Sequence, residues 1–392
     1  MTATIRLDGQ QRELAYNLNQ ALIEQMVDTG KLTTPAWQEA FEAVPRHLFA
    51  PRFTLPDNLG GHALDFGNEA QREEWLRAVY QNEALLTDFD EHDIATTSCS
   101  APPVVAIMLE ASVASDGDIV LEIGTGTGWT AALLAHRLGS HAVTSVDVNP
   151  QCVAQARERL SRLGLSPTLA AADGYLGYPG QAPYDRIIAT ASLRKVPPAW
   201  LSQVNPGGTI LTDLRGDFAG NLARLTVDAA QYAHGQFLPE TVSFMPLRSE
   251  EQPFQQLPEL SSRAVGAQGE QRTTDLEPAM LRKRAFAFFA QLAMPGTRAG
   301  RIRVTGGTTY FCLTDPRSQS WARVEVDSDT DTADRRVEQG GDRRLWDELE
   351  AARELWHDLE LPRPEDFTIT ITVRGDQIVS HPATDRQWSL PL

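Results

Sequence analysis

The run Ile119-Val120-Leu121-Glu122-Ile123-Gly124-Thr125-Gly126-Thr127-Gly128 constrains this chain more than any other segment. Its first five residues are almost continuously apolar, the pattern of a short strand buried on both faces. Three glycines at alternate positions then impose a tight turn, and a helical stretch begins at 129. Glycines let the backbone approach a bound molecule closely. The first turn of the helix offers it unpaired N–H groups. The same alternation continues downstream. Ala142–Asp147, Asp185–Thr190 and Gly208–Thr212 read as strands, and 129–138, 150–163 and 197–204 as helices. Strands alternating with helices predict an α/β fold with a parallel sheet covered on both sides.

The loop is G-x-G-x-G, with its third glycine one residue earlier than in the G-x-G-x-x-G of dinucleotide sites. The following strand ends in Asp147, about 20 residues beyond the loop, where a carboxylate can accept from ribose hydroxyls. Taken alone, the loop leaves two other readings open: glycines that merely pack helix on sheet, and a nicotinamide site.

Around this centre the pattern changes. Residues 11–50 read as helical, with Leu14, Leu18, Leu22 and Met26 on one face, Gly30 as a stop and Pro45 ending a second helix. Residues 51–95 read as irregular. Leu222–Val227 and Thr241–Met245 read as antiparallel strands. We expect three units: 1–248 as a first domain built on the glycine loop, 249–279 as a linker rich in Gln, Glu, Ser and Pro, and 280–392 as an added α+β domain. The last contains strands near Arg301–Val304, Tyr310–Leu313 and Phe367–Val373, an acidic tip at 327–331, a helix through Leu345, Leu349, Ala352, Trp356 and Leu359, and a hairpin turn at Gly375-Asp376.

The formal net charge of -17 argues against nucleic acid as a partner. Arg282-Lys283-Arg284 is the best basic run, and a solvated helix face is its simpler explanation. Three scattered cysteines, Cys99, Cys152 and Cys312, form neither a disulfide framework nor a zinc site, which suggests a cytoplasmic protein. The start MTATIRLDGQQRE has no apolar core, so no signal peptide is expected. No apolar run approaches the roughly 20 residues of a membrane helix, so no membrane partner is expected.

The run from Glu122 to Gly128 resembles the E/D-x-G-x-G-x-G signature of Rossmann-like class I S-adenosyl-L-methionine-dependent methyltransferases, which also place an acidic residue at the end of the second strand, here Asp147. Asp173-Gly174 lies where that class sets an acidic residue beside the adenine amine. The flanking segments narrow the resemblance to protein-L-isoaspartate O-methyltransferases. Val44-Pro45-Arg46-His47-Leu48-Phe49-Ala50-Pro51 is similar to their V-P-R-x-x-F-x-P run, and Ser100-Ala101-Pro102 to their S-x-P. Asp173-Gly174-x-x-Gly177-Tyr178 with Ala182–Ile188, Val204–Gly208 and Val242–Leu247 extend the match, so that it covers about residues 15–248. Asp93–Ser100 lacks the glycines and glutamine of the G-x-G-Q-T-I-S run in repair enzymes. The chain also continues well past Leu247. Arg343–Ala351 resembles an R-R-L-W-D-E-x-E-A segment of long-chain members that accompany maturases of ribosomal peptide natural products, such as the graspetide, lanthipeptide and lasso-peptide systems.

The resemblance implies S-adenosyl-L-methionine as cofactor, held by Glu122, Gly124, Thr125, Gly126, Gly128, Asp147, Val148, Asp173, Gly174 and Thr190. It implies an acceptor bound at Ser98, Cys99, Ser100 and Ala101, with Ser100 donating to the non-attacking carboxylate oxygen. The expected reaction is methylation of an aspartate side chain in a precursor peptide, the ester cyclising to an aspartimide that can hydrolyse to isoaspartate. Repair of isoaspartate in damaged proteins is the alternative. A non-catalytic S-adenosylmethionine-binding module and a small-molecule O-methyltransferase follow. His47 reads as structural, Cys99 as a packed thiol, and Trp346 and Trp356 as core.

Overall fold

The computed structural model describes residues 5–249, 264–304, 307–326 and 335–390. The expected acidic tip at 327–331 and residues 250–263 of the expected linker lie outside them. Helix α1 (Gly9–Asp28) starts from a capping box, in which Asp8 accepts from the Gln11 N–H at 2.8 Å and Gln11 from the Asp8 N–H at 3.2 Å. Its buried face, Ala15, Leu22, Ile23 and Met26, packs with α2 (Pro35–Ala43). The segment expected to be irregular contains two small antiparallel pairs. Strands β1 (Arg52–Phe53) and β2 (Leu64–Asp65) form one. After α3 (Arg72–Val79), β3 (Leu85–Phe89) and β4 (Ala95–Cys99) form a hairpin that leads into α4 (Pro102–Ala111).

The expected alternation follows. Strand β5 (Val120–Ile123), α5 (Trp129–Leu138), β6 (Val143–Asp147), α6 (Pro150–Arg162), β7 (Thr168–Ala171), β8 (Tyr184–Leu193), α7 (Pro198–Leu201) and β9 (Val204–Arg215) build a parallel sheet in the order β7-β6-β5-β8-β9. All four residues of β5 are buried, as a strand covered on both faces requires. Two antiparallel strands, β10 (Gly220–Val227) and β11 (Ala233–Phe237), extend the sheet beyond β9. The strand expected at Thr241–Met245 does not form. That segment is held instead by Arg215 at the Val242 carbonyl and Asp213 at the Phe244 N–H, and leads into a parallel bridge between Pro246 and Ser192.

Strand β11 is not the edge. A second sheet intervenes in sequence: β12 (Glu270–Thr274), β13 (Arg298–Arg303), β14 (Thr309–Asp315), β15 (Ser320–Glu325) and β16 (Arg335–Gly340), in the order β12-β16-β15-β14-β13. The chain then returns to the first sheet as β17 (Thr368–Ile371), β18 (Gln377–Ser380) and β19 (Gln387–Ser389), with Ala233 opposite Ile371. The C-terminal segment drawn from sequence as a separate unit therefore completes a ten-stranded sheet. One apolar cluster runs from Leu121 and Ile210 to Phe289, Trp346 and Phe367. Helix Arg284–Ala293 links the two parts. Phe288 meets Phe237 at 4.8 Å and Phe367 at 5.3 Å between ring centroids.

The Arg343–Ala351 segment is tied down internally. Arg343 bonds Asp315 and Glu348, and Arg272 bonds both Asp347 and Glu350 at 2.5 Å. The Trp346 indole donates to Thr274 at 2.9 Å. The basic run is also partly spent, since Arg284 reaches Asn221, the Leu238 carbonyl and Glu365. Among the described residues no helix is long and apolar enough to cross a membrane.

Because Phe367 is fully buried and lies between the linking helix and Trp388, Phe367→Ala should cost about 3–5 kcal/mol of unfolding free energy. Urea titrations followed by tryptophan fluorescence and by far-ultraviolet circular dichroism should shift together. Separation into two transitions would show the C-terminal strands to be independent of the parallel sheet.

Candidate functional site

The sheet order places β6 on one side of β5 and β8 on the other, so the connections from their carboxyl ends diverge and leave a crevice, where ligands settle in open α/β sheets. The glycine loop lies there. The Gly124 and Thr125 N–H groups donate back to the Val146 carbonyl at 2.8 and 3.1 Å. Gly124 (φ +103°) and Gly126 (φ +49°) adopt backbone conformations that strain any side chain. A Cβ on Gly124 would stand 2.7 Å from Thr190 Oγ1, and one on Gly126 3.3 Å from the Ser98 carbonyl oxygen. The Thr190 hydroxyl donates to the Ile123 and Gly124 carbonyls at 3.1 and 2.8 Å. Asp147 accepts from the Gly126 N–H and the Asn149 N–H, each at 2.9 Å. The loop is thus a bare backbone cradle held open from both sides.

Beneath it is a buried polar chain. Thr125 Oγ1 and Ser145 Oγ lie 2.7 Å apart, and the Ser145 hydroxyl donates to Glu122 at 2.5 Å. Glu122 is completely buried, and its other carboxyl oxygen has no partner among the described residues. Burial pushes its pKa up to about 8, against the Ser145 bond, which pulls it down, with Asp147 adding repulsion.

The opposite wall is the hairpin. Ser98, Ser100 and Ala101 line a cleft of about 210 Å³ with Gly124, Thr125, Gly126, Asp147, Val148, Gly174 and Thr190. Helix α4 has Ala101 at its N-cap and no side-chain cap, so Ser100 is not spent on capping it. Cys99 is not brought to the cleft. It is 1% exposed, on the side of the strand facing Arg46. Arg46 itself is fully buried and donates to five carbonyls: Val79, Gln81, Glu83, Cys99 and Ser100, at 2.7–3.1 Å.

Three residues expected to hold the cofactor do not line the cleft. Glu122 lies behind the loop. Gly128 serves helix packing, since a Cβ there would stand 2.8 Å from that of Ala156. Asp173 accepts from the Tyr175 N–H at 2.9 Å and caps its own turn, while Gly174 lines the cleft. His47 is buried against the Tyr80 hydroxyl at 2.6 Å, and burial depresses its pKa to about 4, so it is neutral.

Sequence reasoning missed the segment that closes the cleft, Ser243–Arg248. The Ser192 N–H donates to the Met245 carbonyl and the Leu247 N–H to the Ser192 carbonyl, both at 2.9 Å. The Phe244 N–H donates to the buried Asp213 at 3.2 Å. The Arg248 guanidinium donates to the Thr96 carbonyl, joining this segment to β4. The resemblance over Val242–Leu247 contained the signal but assigned these residues no role. Among the described residues lining the cleft, Asp147 is the one carboxylate, and no imidazole or thiol is present. Asp147 is itself engaged by the Gly126 and Asn149 N–H groups of the loop.

Comparison with known proteins agrees with this architecture. Residues 62–252 match the family model "Protein-L-isoaspartate(D-aspartate) O-methyltransferase". A protein-L-isoaspartate O-methyltransferase of Ignicoccus hospitalis is 33% identical over 233 residues, 59% of this chain and 97% of that protein. One of Paramagnetospirillum magneticum is 37% identical over 179 residues, 44% of this chain and 81% of that protein. A solved protein-L-isoaspartate O-methyltransferase structure superposes with a TM-score of 0.54 at 21% identity, over 93% of this chain and 99% of the other. That likeness of fold extends past residue 252.

A carboxyl group whose folded-state pKa exceeds its unfolded value binds its proton more tightly when folded. The stability contributed by neutral Glu122 is therefore lost as pH rises from its ordinary 4.5 through about 8. Replacement by the neutral isostere removes this loss. The melting temperature of Glu122→Gln should gain on the parent as pH rises from about 4.5 to about 8, by calorimetry. Parallel curves would mean that Glu122 is already ionised at neutral pH.

Proposed function

The chain belongs to the protein-L-isoaspartate O-methyltransferase family, and on that premise we propose that it methylates an aspartate side chain of a ribosomally made precursor peptide. The ester then closes to an aspartimide, which can hydrolyse to isoaspartate. The chain is an S-adenosyl-L-methionine-dependent methyltransferase. The cradle fits that cofactor. Two glycines let the loop lie against Thr190 and the Ser98 carbonyl, where Cβ atoms would crowd, and Asp147 retains lone pairs for ribose hydroxyls. Gly124, Thr125, Gly126, Asp147, Val148, Gly174 and Thr190 would hold it. When bound there, the cofactor supplies an electrophilic sulfonium methyl.

The observation that carries the proposal is that the described cleft lining holds no imidazole, no thiol and no carboxylate besides Asp147, whose oxygens the glycine loop engages. An alcohol, amine or thiol would need its proton removed, whereas a carboxylate is ionised at neutral pH and needs only orientation. Ser100 is the residue we assign to that task. Its hydroxyl donates to the oxygen that does not attack, and its backbone is fixed by Arg46. The β3–β4 hairpin and Ser243–Leu247 keep water from the reacting atoms. Two features favour a peptide aspartate over isoaspartate. Asp93–Ser100 lacks the glycines and glutamine of repair enzymes, and Arg343–Ala351 resembles the long-chain members. To residues 280–392 we assign recognition of the peptide, because one carboxylate cannot distinguish its substrate without remote contacts.

Isoaspartate repair is the second reading, favoured by the match across 97% of the Ignicoccus relative. Mass spectrometry separates the two. The full chain with cofactor should methylate an aspartate-rich precursor peptide, and methanol loss should follow. Turnover of isoaspartyl peptides alone would make repair the function. Ser100→Ala should raise the barrier by about 1–3 kcal/mol in kcat while leaving S-adenosylhomocysteine affinity unchanged. A variant with the parent's kcat would remove Ser100 from the chemistry.

A further inference from the structure

The described lining of the cleft holds one carboxylate and one guanidinium, Asp147 and Arg248. Asp147 is engaged by the loop through the Gly126 and Asn149 N–H groups. Arg248 is engaged differently. One amino group donates to the Thr96 carbonyl, which fixes the head of the side chain against β4. No ion pair joins Arg248 to any described carboxylate. Asp90, at the exposed hairpin turn, feels its charge but accepts from the N–H groups of His92 and Ile94. The remaining guanidinium donors have no protein acceptor among the described residues.

The position of this cation along the wall gives it a use. Thr96, Ser98 and Ser100 all line the cleft, and the glycine loop abuts the wall midway, at the Ser98 carbonyl. At about 3.3 Å per residue of strand, Thr96 and Ser100 stand about 13 Å apart. One carboxylate cannot touch both ends. An extended peptide covers that span in about four residues.

We propose that Arg248 forms a subsite for a second carboxylate on the acceptor peptide, a few residues from the one held at Ser100. The subsite rests on the reading that the acceptor is a peptide carboxylate. A guanidinium pairs with carboxylates through two parallel bonds, stronger than neutral hydrogen bonds. It is also a local reversal of sign on a chain of net charge -17, which otherwise repels acidic peptides. Arg248 therefore selects acceptors with an acidic flank.

The test uses the full chain and synthetic peptides of about ten residues, each with one acceptor aspartate and with either aspartate or asparagine about two to five residues away on one side. Affinity is read by calorimetry in the presence of S-adenosylhomocysteine, separately from turnover. The parent should bind the acidic-flank peptide more tightly than its amide counterpart, on the order of tenfold. Arg248→Gln should abolish the difference and Arg248→Lys should keep part of it, with folding checked by circular dichroism. Equal binding of both peptides by the parent, or binding of neither, overturns the subsite. So does a variant that loses S-adenosylhomocysteine affinity but keeps the peptide preference, since Arg248 would then serve the cofactor. Charge-dependent binding without methylation would keep the subsite and overturn the carboxylate-methylation reading.

Discussion

A buried guanidinium anchors the catalytic half of this molecule. Arg46 has no exposed surface, and all five of its hydrogen bonds go to backbone carbonyls rather than to a carboxylate. Burial pulls its pKa down, yet arginine stays protonated in proteins. Withdrawing the charge from water costs several kcal/mol, which five charge-assisted bonds offset. Their targets belong to segments far apart in sequence, the end of α3 through Glu83 and the end of β4. The guanidinium also lies over Trp129, 5.4 Å from the ring centroid, and the indole donates to the Val44 carbonyl. The β3–β4 hairpin and the helix after the glycine loop thus share one anchor. A lysine ammonium has too few donors, in the wrong geometry, to replace it.

The glycine loop is held by bonds within the chain. Thr190, Asp147 and the Val146 carbonyl each fix one part of the loop. Little conformational freedom is left to lose on association, which is how a small set of backbone contacts can hold a ligand tightly. Glu122 contributes from behind. Through Ser145 it sets the position of Thr125 and touches nothing in the cleft.

Local pattern made the centre of the fold legible. Buried apolar strands, a glycine loop and helical periodicity are short-range signals, and β5, α5, β6 and α6 follow them within a residue or two. The β3–β4 hairpin was not legible, because Ala95-Thr96-Thr97-Ser98-Cys99 is too polar and small to read as a strand until Arg46 and the loop cover it. The return of β17 to β11 was also hidden, since strand pairing across such a separation leaves no local trace. Motifs located the site but did not orient its side chains. Asp173 and Glu122 match a signature while turning toward their own backbone or interior, and strand geometry carries Cys99 away from its neighbours Ser98 and Ser100.

The pairing of Ala233 with Ile371 also bears on how the chain is made. During synthesis, every strand of the parallel sheet leaves the ribosome before the residues that cover β11. The nascent protein therefore carries a ready sheet edge through the manufacture of an entire second sheet, and such an edge recruits other strands. Until 368–389 arrive, the chain must be shielded or must stay loose. The last hairpins to emerge are the ones that cover that edge.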